Sequence, residues 1–176
     1  NGIGSEVVLK TFEDVRMLEL CTPVIFANVK QLSFIKRNLE SEINLHGIDR
    51  LDQLVVGKIN VLNVWKEGFD LNLGTNDPTV GEYAIKSFVA ATQALKDGQV
   101  DVLVTAPINK YNSQSDTFKF PGHTDYLAQE LEGDALMFMV QDNLRVGLLT
   151  DHIPVSEVAS HLTEALITKK IETIKQ

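Results

Sequence analysis

Short apolar runs that alternate with helical patterns limit the fold of this chain more than any other feature. Residues 23–28 (PVIFAN) and 100–105 (VDVLVT) are mostly apolar, which is typical of strands buried in a parallel sheet. Residues 58–65 partly alternate in period two and predict a strand with one wet face. The intervening helical patterns cover residues 5–14, 29–40 and 79–97. This alternation predicts an α/β fold.

The last third of the chain predicts a hairpin between helices. Residues 135–140 and 145–150 have the pattern of strands, and the turn at 141–144 is short enough to make them antiparallel. Helical patterns lie on both sides, over residues 123–131 and 155–176. We therefore expect the α/β fold to have some antiparallel content.

Cap and turn residues predict where the helices begin and end. Ser5 can cap the first helix, and Thr79 with Glu82 matches a capping box at the start of the third. Residues 72–78 are rich in turn-forming types and predict a loop before that helix. Gly98 is expected to end it.

The charge balance limits the partners of the chain. Among 176 residues, 16 basic against 24 acidic side chains give a net charge of -8, which opposes binding to nucleic acid or to an anionic membrane. No apolar run approaches the roughly 20 residues of a membrane span, so no membrane association is expected. The single cysteine, Cys21, cannot form an internal disulfide; we expect it to pack in the interior and the protein to be cytoplasmic.

Three polar loops are candidates for a binding site, because ligands of α/β sheets usually bind at the carboxyl ends of strands. They are residues 105–110 (TAPINK), 120–125 (FPGHTD) and 150–154 (TDHIP), and two of them directly follow a predicted strand. In the first loop, Lys110 could hold a phosphate or a carboxylate beside backbone amides. The alternative is a solvated surface lysine, which is the commoner case.

Two of the four histidines lie in these loops. His123 follows a Pro-Gly pair, a turn that could expose its ring beside the hydroxyl of Thr124 and the carboxylate of Asp125. The alternative is a cluster that only caps the next helix. His152 could bind a divalent metal or act as a base. Its alternative is a turn histidine hydrogen-bonded to the backbone, which composition alone favours.

Common fingerprints of nucleotide and metal sites are missing from the sequence. Neither GxGxxG nor GxxxxGK[ST] occurs, and the glycines of residues 1–4 (NGIG) are only a weak match to an anion-binding turn. A metal site normally needs about three protein ligands, and no HExxH or CxxC motif is present. His152 is therefore not a metal site by itself.

Four segments together resemble the 4-hydroxythreonine-4-phosphate dehydrogenases in order and approximate spacing. They are residues 1–4 (NGIG), 104–110 (VTAPINK), 120–127 (FPGHTDYL) and 151–155 (DHIPV), so the resemblance covers essentially the whole chain. It implies α/β/α layers like those of isocitrate and isopropylmalate dehydrogenases, with two lobes, in an incomplete form. Residues 1–107 would be the first lobe, lacking its first strand, and residues 108–176 the start of the second.

The resemblance also implies roles for individual residues. His123 and Thr124 would bind a small phosphorylated hydroxy-amino-acid substrate. His152 would be the first of three histidines holding a divalent metal (Zn, Mg or Co), with the others in later segments and one from the partner subunit of a homodimer with a shared active site. Asp125, like Lys110, is a possible contact to an anion or to the substrate. It stands where glutamate is common, and Asp151 stands where threonine is frequent. No residue is indicated for binding of the cofactor, NAD or NADP.

The implied reaction is NAD-dependent oxidation and decarboxylation of 4-phosphohydroxy-L-threonine to 3-amino-2-oxopropyl phosphate, in vitamin B6 (pyridoxal phosphate) biosynthesis. Related enzymes oxidise four-carbon sugar-acid phosphates such as threonate or erythronate 4-phosphate, and this alternative stays open. A second alternative is a non-catalytic remnant that binds a phosphorylated ligand. Because most implied ligands and substrate contacts lie outside these residues, we expect the 176-residue chain alone to be inactive and to bind metal weakly.

Overall fold

The computed structural model describes residues 1–114, 118–120 and 122–175. Pro121, part of the Pro-Gly pair before His123, thus lies outside the described residues. The chain divides into two compact units, Asn1–His123 and Thr124–Gln176. The predicted boundary near residue 107 concerns the lobes of a whole enzyme and stays a prediction.

The first unit is built on a three-stranded parallel sheet. Its strands are β1 (Val24–Ala27), β2 (Leu45–Ile48) and β3 (Ile59–Asn63), in the order β1-β3-β2. The strands predicted at 23–28 and 58–65 are therefore confirmed, and β2 is an additional strand. The expectation of an α/β fold is also confirmed.

Four helices accompany this sheet: α1 (Gly4–Thr11), α2 (Met17–Leu20), α3 (Val29–Asn38) and α4 (Pro78–Lys96). The end of β1 leads directly into α3, because the Asn28 side chain caps that helix by accepting hydrogen bonds from the amides of Lys30 and Gln31. Helix α4 packs on β1, where the Ser87 hydroxyl donates to the carbonyl of Phe26.

Two predicted caps are wrong. Ser5 lies inside α1, which begins one residue earlier. The cap of α4 is Asp77, whose carboxylate accepts from the Thr79 amide, and Pro78 takes the first helical position. Proline suits that position because it has no N–H to leave unpaired. The predicted end of α4 is confirmed, since Gly98 has a positive φ of 67°.

The predicted wet face of the 58–65 strand is also wrong. β3 lies between its two neighbours, and Ile59, Asn60 and Val61 are all buried. Asn60 is compatible with burial because its side chain bonds the Val55 amide and three backbone carbonyls. The period-two pattern therefore reflected a satisfied polar residue rather than a solvent-facing side of the strand.

Residues 100–105 are not a strand in the structure, contrary to the prediction. Val102 and Val104 are 73% and 88% exposed. A strand is defined by hydrogen bonding to a neighbour, and the three-stranded sheet of the described residues does not include this segment. Cys21 is likewise exposed instead of packed.

The second unit contains a hairpin and helices. After α5 (His123–Glu130), strands β4 (Phe138–Gln141) and β5 (Leu144–Gly147) pair antiparallel around a two-residue turn, which confirms the predicted hairpin. The final segment forms α6 (Val158–His161) and α7 (Glu164–Lys175). Among the described residues of both units, no helix has the length and apolar character needed to cross a membrane.

Candidate functional site

His123 is the first residue of α5 and is held by an aromatic ring of α4. Its imidazole makes an edge-to-face contact with Phe88, with ring centroids 4.7 Å apart and planes at 70°. Phe88 is buried, so it provides a fixed surface for the imidazole. His123 itself is half-buried. The sequence alone did not predict this contact, which joins two residues 35 positions apart.

The Lys110 ammonium lies close to Gly122, the residue before His123. Its Nζ is 3.8 Å from the position that a Cβ on Gly122 would take. Burial, and then the positive charge of Lys110, hold the pKa of His123 below its ordinary value of 6.5. The neutral imidazole is thus favoured near pH 7, where it can both donate and accept hydrogen bonds while Lys110 supplies a positive charge.

Thr124 and Asp125 occupy the second and third positions of α5, and both are exposed. Thr124 is therefore inside the helix, whereas the capping alternative requires a residue that precedes it. Asp125 is an acidic residue in the first turn, where it interacts favourably with the helix dipole. Both side chains are accessible to a ligand, and their predicted roles stay predictions.

Two of the four resembling segments meet in the first unit. A Cβ on Gly4, at the start of α1, would lie 3.2 Å from the carbonyl oxygen of Pro107 and 3.4 Å from the Cβ of Ala106. Only a small residue fits at this approach without displacing the loop. The NGIG and TAPINK segments are therefore packed together, although about a hundred residues separate them in sequence.

His152 lies in the second unit with a strained backbone. It is exposed, and its φ of 52° falls in the left-handed region, which costs a non-glycine residue about 1 kcal/mol or more. No hydrogen bond to its ring occurs in the described part of the chain, so the backbone-bonded alternative has no support there. A strained, exposed histidine after a strand is consistent with a functional position.

A single histidine such as His152 is not sufficient to bind a metal ion tightly. Within residues 1–114, 118–120 and 122–175, no group of three or more His, Cys, Asp or Glu side chains is arranged to hold a metal ion. His152 offers a suitable donor for a divalent cation, but further ligands would have to come from elsewhere. Its role as a ligand, and the convergence of His123 and His152 on one cleft, stay predictions.

Comparison with known proteins places the chain in a family. The family model for "Pyridoxal phosphate biosynthetic protein PdxA" matches residues 19–176. A 4-hydroxythreonine-4-phosphate dehydrogenase of Bacteroides thetaiotaomicron is 37% identical over 173 residues, which cover 97% of this chain and 48% of that protein. The "Putative D-threonate 4-phosphate dehydrogenase" of Clostridium botulinum is 25% identical over 168 residues, 93% of this chain and 50% of that protein.

A solved structure has the same fold. The crystal structure of a 4-hydroxythreonine-4-phosphate dehydrogenase from Burkholderia phymatum superposes with a TM-score of 0.86 at 26% identity, over 97% of this chain and 53% of that one. This chain thus spans about half the length of the relatives that it matches. With a family model covering most of its residues, the chain belongs to the PdxA family of pyridoxal phosphate biosynthetic proteins.

Proposed function

We propose that the protein containing this chain is a dehydrogenase that oxidises 4-phosphohydroxy-L-threonine to 3-amino-2-oxopropyl phosphate in the cytoplasm, in vitamin B6 biosynthesis. The observation that carries the proposal is the cationic Lys110 beside the half-buried His123 at the start of α5. Such a pair suits a phosphorylated substrate. The relative from Bacteroides thetaiotaomicron, which bears the name of this activity, supports the same choice.

The residues of this chain would bind and orient the substrate. Lys110 would neutralise negative charge on the phosphate or carboxylate, while the His123 imidazole and the Thr124 hydroxyl would bond its oxygens. Because Phe88 fixes the His123 ring, these contacts would hold the substrate in one orientation, which lowers the entropic part of the barrier.

We also propose that the enzyme uses a nicotinamide cofactor and a divalent metal, and that it acts as a homodimer. NAD or NADP, when bound, would accept the hydride from C3 of the substrate, and the resulting β-keto acid would lose carbon dioxide. A divalent metal, Zn, Mg or Co, would lower the pKa of the substrate alcohol and stabilise the oxyanion. His152 would give one of its ligands, and residues outside this chain would complete the site in a homodimer with a shared active site.

A related substrate is the second candidate. The name of the Clostridium botulinum relative supports a four-carbon sugar-acid phosphate, threonate or erythronate 4-phosphate, as the substrate. These compounds carry a hydroxyl where the amino acid carries its amine.

The test is NADH formation by the full-length protein whose reading frame contains this sequence. The purified protein is mixed with NAD, a divalent metal and each of the three phosphorylated acids. We expect turnover with 4-phosphohydroxy-L-threonine, loss of turnover with a chelator, and none from the 176-residue chain alone. A higher kcat/KM for a sugar-acid phosphate would favour the second candidate. Binding of these acids without turnover of any would identify a non-catalytic protein and refute the proposal.

A further inference from the structure

The loop that carries Lys110 is tied to the loop that precedes α4 by a pair of asparagines, Asn109 and Asn76. We propose that this pair is a positioning device that holds Lys110 beside His123. The substrate contact of Lys110 rests on the proposed function, but the placement of its ammonium does not. The proposal can therefore be tested separately.

Asn109 shapes the turn in which Lys110 lies. Its Oδ1 accepts hydrogen bonds from the amides of Tyr111 and Asn112, at 3.0 Å and 3.2 Å. Its backbone carbonyl accepts from both the amide and the hydroxyl of Ser113, at 3.0 Å and 2.9 Å. An asparagine that bonds the amides ahead of it stabilises a local turn. The backbone on the carboxyl side of Lys110 is thereby fixed.

Asn76 connects that turn to a second loop. Its Oδ1 accepts from Asn109 Nδ2 at 2.9 Å, across 33 positions of sequence. The Asn76 loop is itself anchored on both sides. Asn1 bonds the amides of Asn72 and Gly74, and Asp77, the residue after Asn76, caps α4. The Asn76 carboxamide is therefore a fixed point to which the Lys110 turn is attached.

Gly81 allows α4 to pack closely against the turn that carries Lys110. A Cβ at this position, in the second turn of α4, would overlap the carbonyl oxygen of Asn112 and lie 2.6 Å from its carbonyl carbon. Glycine is unfavourable inside a helix, and the missing side chain is explained here by the close contact with the turn. The turn is thus held by α4 and by Asn76, which leaves the Lys110 side chain to reach Gly122.

A purely structural tie would affect only stability, so the test needs another observable. The pKa of His123 is suitable, because the positive charge of Lys110 contributes to its depression. If the asparagine pair positions Lys110, breaking the tie moves the ammonium away and raises the pKa of His123. The His123 ring would still be buried against Phe88 after that change. The pKa of His123 should therefore not rise above its value in a protein without Lys110.

The experiment is a histidine NMR titration of the full-length protein, with Asn76→Ala as the main variant. Lys110→Met gives the reference for complete loss of the lysine charge. Asn72→Ala is the matched control, because it makes the same chemical change in the same loop and its side chain has no hydrogen bond in the described chain. Asn109→Ser is a second test, since serine retains a capping oxygen but is too short to reach Asn76.

We expect Asn76→Ala and Asn109→Ser to move the pKa of His123 upward, by most of the shift seen in Lys110→Met, and Asn72→Ala to leave it unchanged. Adding Asn76→Ala to Asn109→Ser should give little further shift, because the two variants share the loss of the Asn76–Asn109 bond and Asn76→Ala removes in addition only the longer bond from Asn112 Nδ2, at 3.5 Å. An unchanged pKa of His123 in folded Asn76→Ala and Asn109→Ser proteins would overturn the proposal.

Substrate kinetics separate this proposal from the proposed function. If the pKa of His123 moves and KM for the phosphorylated substrate rises several-fold with kcat retained, both are supported. If the pKa moves and KM does not, the positioning role is upheld and the substrate role of Lys110 is wrong.

Discussion

Replacing Gly81 by alanine tests whether the Lys110 turn is packed against α4 as the structure shows. At an exposed position inside a helix, replacing glycine by alanine stabilises the folded protein by about 1 kcal/mol, because alanine is the better helix former. Here the added Cβ would overlap the carbonyl oxygen of Asn112, and a backbone atom cannot rotate away as a side-chain tip can. Overpacking of this kind costs about 1–3 kcal/mol, and a backbone clash belongs at the upper end.

The expected net effect is a destabilisation of about 2 kcal/mol. For a folding unit of 176 residues that corresponds to a fall in Tm of about 4–8 °C. The free energy of unfolding would be measured by urea denaturation and Tm by calorimetry. Gly68→Ala is the matched control, because a Cβ there meets nothing within 4 Å, and its effect should stay within about 0.5 kcal/mol. A Gly81→Ala protein as stable as the wild type would refute the packing of this turn on α4.

Three further predictions concern the side chains of Asn60, Asp77 and His123. Asn60→Ala leaves the Val55 amide without its acceptor and removes the side-chain donor from three carbonyls, of which those of Pro23 and Val55 keep a backbone N–H donor. It should lower the free energy of unfolding by about 1–3 kcal/mol in urea denaturation. Asp77→Ala removes the cap of α4 and should cost about 1 kcal/mol, whereas Asp77→Asn should cost little. Because the folded pKa of His123 is depressed, its contribution to stability is complete above pH 6.5 and declines as pH falls through the folded value. His123→Gln should flatten that part of the pH–stability profile, and an unchanged slope would contradict the depressed pKa.

Strong local patterns were sufficient to predict most of the elements. β1, α3, α4 and the hairpin were each predicted from apolar spacing and nearby turn residues, and the structure confirms them. Helix periodicity and tight turns are determined by residues that are close in sequence, so these elements can be recognised in a single sequence.

Two segments whose state depends on distant partners were predicted wrongly or missed. β2 contains a histidine and a glycine and has no apolar run; it is a strand because it pairs with β3. Residues 100–105 show the reverse, an apolar pattern without a strand in this structure. The cap of α4 could have been predicted, because Pro78 favours the first helical position and so indicates Asp77 rather than Thr79.

The candidate site was predicted in part. Sequence reasoning selected Lys110 and His123 from their loops, and the structure places them near one another through Gly122. It could not predict the contact of His123 with Phe88 or the bond between Asn76 and Asn109, because both join residues far apart in sequence. Gly81 carried a usable signal, since an isolated glycine in a helical pattern often marks close packing.

The proposed function requires that His123 and His152 serve one site, the first binding the phosphorylated substrate and the second a divalent cation. Paramagnetic Mn²⁺ added to the full-length protein tests this directly, because it broadens the resonances of histidines near the ion. We predict that Mn²⁺ broadens the imidazole signals of both His123 and His152, and that His152→Ala removes the broadening of His123. Broadening of His152 with a sharp His123 signal would show that the two rings do not share a site and would contradict the account.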